Sequence, residues 1–375
     1  MAEERLDYFP LGLAQDEAFC NRTRERAHLL SNMQTHKPTL LISPRRYGKT
    51  SLAIQSLRDG DLPFAMIDFF VSPDSESISA HVLNGVAELM TCVMKTSDKA
   101  AKFAKEVFKN LEVSLDLGRL KLQLHPSVAS NENPSLLIFD TLKQLEEALA
   151  KQNQNAVLFF DEFQVLGQLK DSQGIEGAIR NVAQQSRSLS FLFSGSSRHL
   201  LSTMFDDRTR PLYLLCDRIQ VTRIDKPEYL AFFDKAALAT WRKSLPFETG
   251  EMILKLTAHH PYYVNVLCSR LFLKDTPPST LDAETSWHHY ALQERSRIAY
   301  DLNQLSVNQR KILLALAGEP VTSISSQKFL HQHGLSGASS LQAMNVLLER
   351  DYVYQNSKGV FYILDPVLQY VLKHQ

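Results

Sequence analysis

Eight consecutive residues, Ser43-Pro44-Arg45-Arg46-Tyr47-Gly48-Lys49-Thr50, have the types and spacing to hold a phosphate chain. They follow a short apolar run (38–42) and precede a helical pattern (50–58). In such a place the N–H groups of the loop and of the helix N-terminus wrap phosphate oxygens. Lys49 would reach the β- and γ-phosphates, and the Thr50 hydroxyl, with Ser51 beside it, would face a Mg²⁺ ion. Gly48 lets the backbone come close. The pattern is G-x4-G-K-[ST] between strand and helix, with Ser43 standing where the first glycine is usual. Gly-Lys-Thr also occurs in plain turns, so the preceding strand carries much of the inference.

Two further segments fit the same chemistry. Ala156-Val157-Leu158-Phe159-Phe160-Asp161-Glu162 is an apolar run ending in two carboxylates. In an open α/β sheet such a strand delivers them to the ligand-binding edge. Asp161 then suits the Mg²⁺ shell, and Glu162 suits polarisation of an attacking water. The plainer alternative is a helix cap. Phe191-Leu192-Phe193-Ser194-Gly195-Ser196-Ser197-Arg198 is another strand with a polar tip. Ser194 and Ser196 are candidate γ-phosphate sensors, and Arg198 could meet a phosphate or an acid.

The elements that position these residues follow from periodicity. Short apolar runs at 38–42, 64–71, 156–160 and 190–193, and a fifth at 220–224, alternate with helical patterns at 50–58, 76–95, 135–152 and 174–188. That rhythm predicts a parallel sheet covered on both faces. Leucines alternating with polar residues around Gly118-Arg119 predict a hairpin over 112–125, outside the main sheet. Beyond 225 the strands stop, and helical spacing runs through 228–241, 247–258, 261–273 and 284–304. Helices at 306–317, 325–333 and 336–350, then two short β runs around Asn356-Ser357-Lys358-Gly359, predict a winged helix-turn-helix.

Lys+Arg and Asp+Glu both number 41, which argues against a protein that coats nucleic acid through bulk charge. Four cysteines without a CxxC pair read as reduced thiols. The acidic start predicts no secretory leader, and no run of ~18 apolar residues predicts a membrane span. The expected setting is cytoplasmic, with no membrane partner.

In combination, SPRRYGKTSL, FFDEFQ and FSGSSRHLL resemble the archaeal-type ATPases, in the STAND branch of the AAA+-like P-loop NTPases. The resemblance implies ATP and Mg²⁺ as ligands, a sheet of order 5-1-4-3-2, a helical lid and a C-terminal winged helix. It runs from about Asn21 to the C-terminus. Asn21-Arg22-Thr23-Arg24-Glu25-Arg26 is similar to the family's entry motif, whose Arg and Glu (here Arg22 and Glu25) open the first helix near the adenine. His260-Pro261-Tyr262-Tyr263 is similar to its lid motif, with His259 where the family usually has glycine. The expected domains are an ATPase core (1–224), a lid (225–304) and a winged helix (305–375). No guanine-specificity segment of the NKxD type is present, which favours ATP over GTP.

The presumed recognition helix, GASSLQAMNVLLER, has one cation, at its last position, and the wing tip offers Lys358. Ser339, Ser340, Gln342 and Asn345 could reach base edges, but phosphate neutralisation supplies most DNA affinity. A protein partner is therefore expected ahead of DNA. Arg208, Arg210 or Arg218 acting on a neighbour's nucleotide would imply a nucleotide-dependent homo-oligomer; surface ion pairing is the commoner use. The reading is a slow ATPase acting as a switch. Its alternatives are an ATP-gated DNA-binding protein and a non-hydrolysing ATP scaffold.

Overall fold

The structure, a computed structural model, describes residues 6–94, 97–108, 111–116, 121–126, 133–356 and 358–374. It divides into two compact units, Arg22–Thr222 and Met1–Asn21 with Arg223–Gln375.

The first unit holds strands β1 (Thr39–Ile42), β2 (Phe64–Asp68), β3 (Leu111–Asp116), β4 (Lys121–Pro126), β5 (Ala156–Asp161), β6 (Leu189–Gly195) and β7 (Asp217–Gln220). Its helices are α1 (Thr23–Gln34), α2 (Lys49–Asp59), α3 (Ser75–Met94), α4 (Ser97–Val107), α5 (Pro134–Lys151), α6 (Ser172–Gln185) and α7 (Arg198–Asp206). Five strands form one parallel sheet in the order β2-β5-β6-β1-β7. Counting sheet strands alone, that is 5-1-4-3-2, as the resemblance implies. β5 and β6 are buried along their whole length, as central strands covered on both faces must be.

The fifth strand differs from the sequence reading of 220–224. It starts three residues earlier, because among the described residues its only partner is β1. That ladder runs from Thr39 opposite Asp217 to Ile42 opposite Gln220, and β1 then gives way to the loop. The hairpin β3–β4 is a separate two-stranded sheet; its turn lies outside the described residues. Leu122 and Leu124 join the core that α3 lines with Ile78, Val82 and Val86. By length and composition α3 could cross a membrane, but in this unit it covers the sheet.

In the second unit, α8 (Lys226–Trp241), α9 (Phe247–Thr257), α10 (Pro261–Leu271) and α11 (Thr280–Asn303) contribute to one core that includes the fully buried Trp287. The N-terminal stretch joins them through Phe9, whose ring lies 4.6 Å from that of Phe272. α11 starts four residues before the sequence reading of 284, because Ser279 and Asp282 form a capping box. Then follow α12 (Val307–Gly318), α13 (Gln327–His333), α14 (Gly337–Glu349), β8 (Val353–Gln355), β9 (Phe361–Ile363) and α15 (Pro366–Lys373). β8 and β9 pair antiparallel as the wing, and Val321 bridges to Phe361 at its edge. Sequence reading missed α15, which Asp365 caps by accepting from the Val367 and Leu368 N–H groups.

Candidate active site

The phosphate-type loop leaves β1 at Ile42 and enters α2 at Lys49. Its path needs left-handed backbone at two places, Arg46 (φ +63°) and Gly48 (φ +82°). At Gly48 the glycine removes the Cβ penalty of that conformation; at Arg46 the strain remains. Alternation of this kind turns successive N–H groups inward, as anion-binding nests require. Ser43 is not among the left-handed residues, so its Cβ is tolerated. Its hydroxyl donates to the Pro44 carbonyl at 2.9 Å and accepts from Lys49 at 3.3 Å. Lys49 is buried and also donates to the carbonyls of Ser43 (3.3 Å) and Pro44 (3.2 Å). Its ammonium thus lies folded onto neutral oxygens of the loop that a phosphate would occupy.

The acids sit at the C-terminal end of β5, beside this loop. The Thr50 hydroxyl donates to Asp161 Oδ2 at 2.7 Å, and the Ser194 hydroxyl donates to Asp161 Oδ1. Three residues from α2, β5 and β6 are therefore joined through one carboxylate. Beneath it, Phe69, Phe160, Phe163 and Phe193 interlock, with the Phe163 and Phe193 rings 4.7 Å apart. Such packed aromatics hold the strand ends rigid. Glu162 has left-handed backbone (φ +48°), which turns the chain off the strand and into a 3-10 helix, Phe163–Gln168. A non-glycine residue there is strained, by about 1–3 kcal/mol. Its Oε2 accepts from Ser196 Oγ at 2.8 Å and from Gln164 Nε2. Arg45 Nε in turn donates to Ser196 Oγ at 3.3 Å. Sequence reading missed Gln164. The only sign of it was a polar residue two positions past the acid pair, and it takes the tight 3-10 turn to bring it back.

Arg22 is buried at the start of α1 and makes an ion pair with Glu25 at 3.3 Å. Its Nη2 donates to the carbonyls of Tyr47 and Thr222, both at 2.9 Å. The guanidinium therefore ties the loop to the chain leaving β7. Arg198 is the first residue of α7, half-buried. Among the later arginines, Arg210 pairs with the buried Glu176 and Arg218 with Asp206, which is structural use of both; Arg208 is exposed.

His260 and Pro261 belong to the second unit, where His260 is the N-cap of α10 and Pro261 its first residue. The turn before them runs through left-handed Ala258 and His259 without glycine. Arg223 holds it by donating to the Ala258 carbonyl at 2.8 Å, and His259 Nδ1 lies 3.3 Å from the Ile224 carbonyl. In α14, Ser340 does not reach the surface: it is fully buried and donates to the Ser336 carbonyl at 2.7 Å. Gln342, Asn345 and Leu341 are exposed on that helix.

The donor set fits Mg²⁺ bound together with a phosphate ligand. A threonine hydroxyl that donates to an aspartate keeps its lone pairs for the ion, with the carboxylate behind it. Among the described residues no group of three or more His, Cys, Asp or Glu could hold a metal alone. A Mg²⁺ ion held here would depend on phosphate oxygens and water, as this ion commonly does.

Residues 299–374 match the family described as a probable winged helix domain. The whole chain is similar to the Walker-type ATPase PABY2304 of Pyrococcus abyssi, with a TM-score of 0.68 and 19% identity over 98% of this chain and 99% of that one. It is also similar to the ORC2 protein of Aeropyrum pernix, solved as ADPNP–ADP complexes, with a TM-score of 0.57 and 13% identity over 96% of each chain. No curated protein matches the chain by sequence. The fold is that of the Walker-type P-loop ATPases, with a C-terminal winged helix domain.

Proposed function

We propose that this chain is an archaeal-type ATPase of the STAND branch, binding Mg·ATP at Lys49, Thr50, Asp161 and Glu162 and acting as a nucleotide-dependent switch. The observation that carries the reading is the junction of Thr50, Asp161 and Ser194 on one carboxylate, with Glu162 beside it. Lys49 exchanges the loop carbonyls for the β- and γ-phosphates, since an anion is a better partner for a buried ammonium than neutral oxygens. Residues Ser43 to Ser51 supply the surrounding N–H groups and hydroxyls. Thr50 and Asp161 would hold the Mg²⁺ ion, which would neutralise charge developing on the phosphates. Glu162 orients and deprotonates the attacking water. Ser194 and Ser196 are assigned the sensing of the γ-phosphate, and Arg198 the cation that meets it.

By the resemblance, His260 and Pro261 read the nucleotide from the lid, and hydrolysis resets the lid and winged helix. The winged helix serves a protein contact. Its α14 contains no Lys or Arg, and a helix meeting DNA needs cations for the phosphates.

The test is phosphate release with Mg·ATP by wild type, Lys49→Ala and Glu162→Gln. Both variants are expected to lose turnover, by ~100-fold or more, with ATP still bound by Glu162→Gln. A wild type that binds ATP and never turns over would favour the scaffold reading; one that binds no nucleotide would end both.

A further inference from the structure

Glu162 is held by more than the sensor strand. Its Oε2 takes two donors, Ser196 from the end of β6 and Gln164 from the 3-10 helix. All described hydrogen bonds to the carboxylate fall on that oxygen, which leaves Oε1 to accept from water. A general base needs this division: one oxygen anchored, the other presented to the proton it removes.

Gln164 is itself fixed. It is buried, 5% exposed, and its amide lies across Gly195, where a Cβ would stand only 2.1 Å from Oε1. Gly195 is thus needed for close approach by this side chain. Oε1 of Gln164 is buried and accepts no hydrogen bond, a cost of about 1–3 kcal/mol. Burying an amide with half its capacity unused serves no packing purpose that an apolar residue would not serve better, so the half that is used, the bond to Glu162, stands out. On the other side, Ser196 is bonded by Arg45 of the phosphate-type loop. The chain Arg45 to Ser196 to Glu162 crosses from the loop to the base in two hydrogen bonds.

We infer that Gln164 is a positioning residue for the Glu162 carboxylate, acting opposite Ser196 and linked through Ser196 to Arg45. The inference rests on Glu162 being the base, and it adds that the base works only within this bracket. Misplacing a reacting group by about 1 Å can cost ~100-fold in rate, so loss of one anchor lowers kcat while ATP affinity, set at the loop, stays.

The test compares wild type, Gln164→Glu, Gln164→Ala and Glu162→Gln in steady-state ATP hydrolysis across pH, with ATP binding measured by calorimetry. Gln164→Glu keeps the shape that packs on Gly195 but replaces the N–H donor by a like charge. Its kcat is expected to fall ~10–100-fold near neutrality with Kd for ATP within about twofold. It should recover toward lower pH, where the introduced carboxyl is protonated and donates again. Wild type has no carboxyl at position 164 and should show no such recovery. A structural role would not produce this recovery. If Glu162→Gln is inert while Gln164→Glu keeps the wild-type kcat and pH profile, the inference is overturned and the base assignment stands. If kcat and ATP binding fall together in both Gln164 variants, Gln164 is structural and the inference is likewise overturned. Turnover by Glu162→Gln would instead remove the base assignment beneath it.

Discussion

Truncating Arg22 separates two uses of an arginine bonded to the candidate phosphate loop. The resemblance places it near the adenine; the structure makes it a tether. Its guanidinium, 3% exposed, donates to the Tyr47 and Thr222 carbonyls at 2.9 Å each. Hydrogen bonds to a charged donor contribute about 1.5–3 kcal/mol apiece. Arg22→Ala removes both, and with them the ion pair to Glu25. The expected loss is about 3–5 kcal/mol in the nucleotide-free protein. At ~2–4 °C per kcal/mol for a domain of this size, that is a fall in Tm on the order of 10 °C. Arg22→Lys, a point charge without the fork, should recover no more than one of the two bonds. The assay is thermal unfolding without nucleotide, followed by calorimetric binding of ATP and GTP. A tether lowers the melting temperature of the empty protein and weakens both nucleotides alike. Refutation would be an empty Arg22→Ala protein melting within about 1 °C of wild type while losing affinity for ATP but not GTP.

Two further outcomes follow from single residues. Ala258 ends α9 with φ +48°, a conformation costing an L-residue about 1–2 kcal/mol. Ala258→Gly should therefore stabilise by about 0.5–1 kcal/mol after glycine's larger unfolded-state entropy, seen as a small rise in the unfolding temperature; a fall would mean that the strain reading is wrong. Glu176 is fully buried against Arg210, and burial raises its carboxyl pKa above the ordinary value even with that cation beside it. A raised folded pKa means the native state binds the extra proton, so this group's contribution is most favourable at low pH and is lost as pH rises through the raised value. Arg210→Ala removes the compensating cation. It should cost about 3 kcal/mol at about pH 8, with part of that recovered at about pH 5. Urea unfolding at both pH values checks it, and a pH-independent loss would count against a charge effect.

What the sequence disclosed and what it concealed divide along physical lines. The central strands were legible because burial on both faces demands continuous apolar runs, as in β5 and β6. β7 was misplaced because an edge strand pairs on one side only, and Asp217-Arg218-Ile219-Gln220 shows no apolar run. Lys49, Thr50, Asp161, Ser194 and Ser196 stood out as candidates because each is a polar residue at the end of a strand or the start of a helix. Arg22 showed its spacing to Glu25 but not its work, since a side chain that bonds backbone carbonyls leaves no second letter in the sequence to find. Ser340 read as exposed polar surface, although its hydroxyl is satisfied within its own helix turn, which lets it be buried.

The substitution of serine for the first loop glycine shows how far a motif can be separated from its physics. The motif asks for glycine at both ends of the loop. The backbone asks for left-handed residues only at Arg46 and Gly48. At position 43 the requirement is a small side chain that can be buried, and preferably one that can bond. Ser43 meets both conditions: it is 1% exposed and its hydroxyl is engaged by Pro44 and Lys49. The departure that weakened the pattern as a string thus leaves the loop's left-handed path, its buried lysine and the helix start at Lys49 in place.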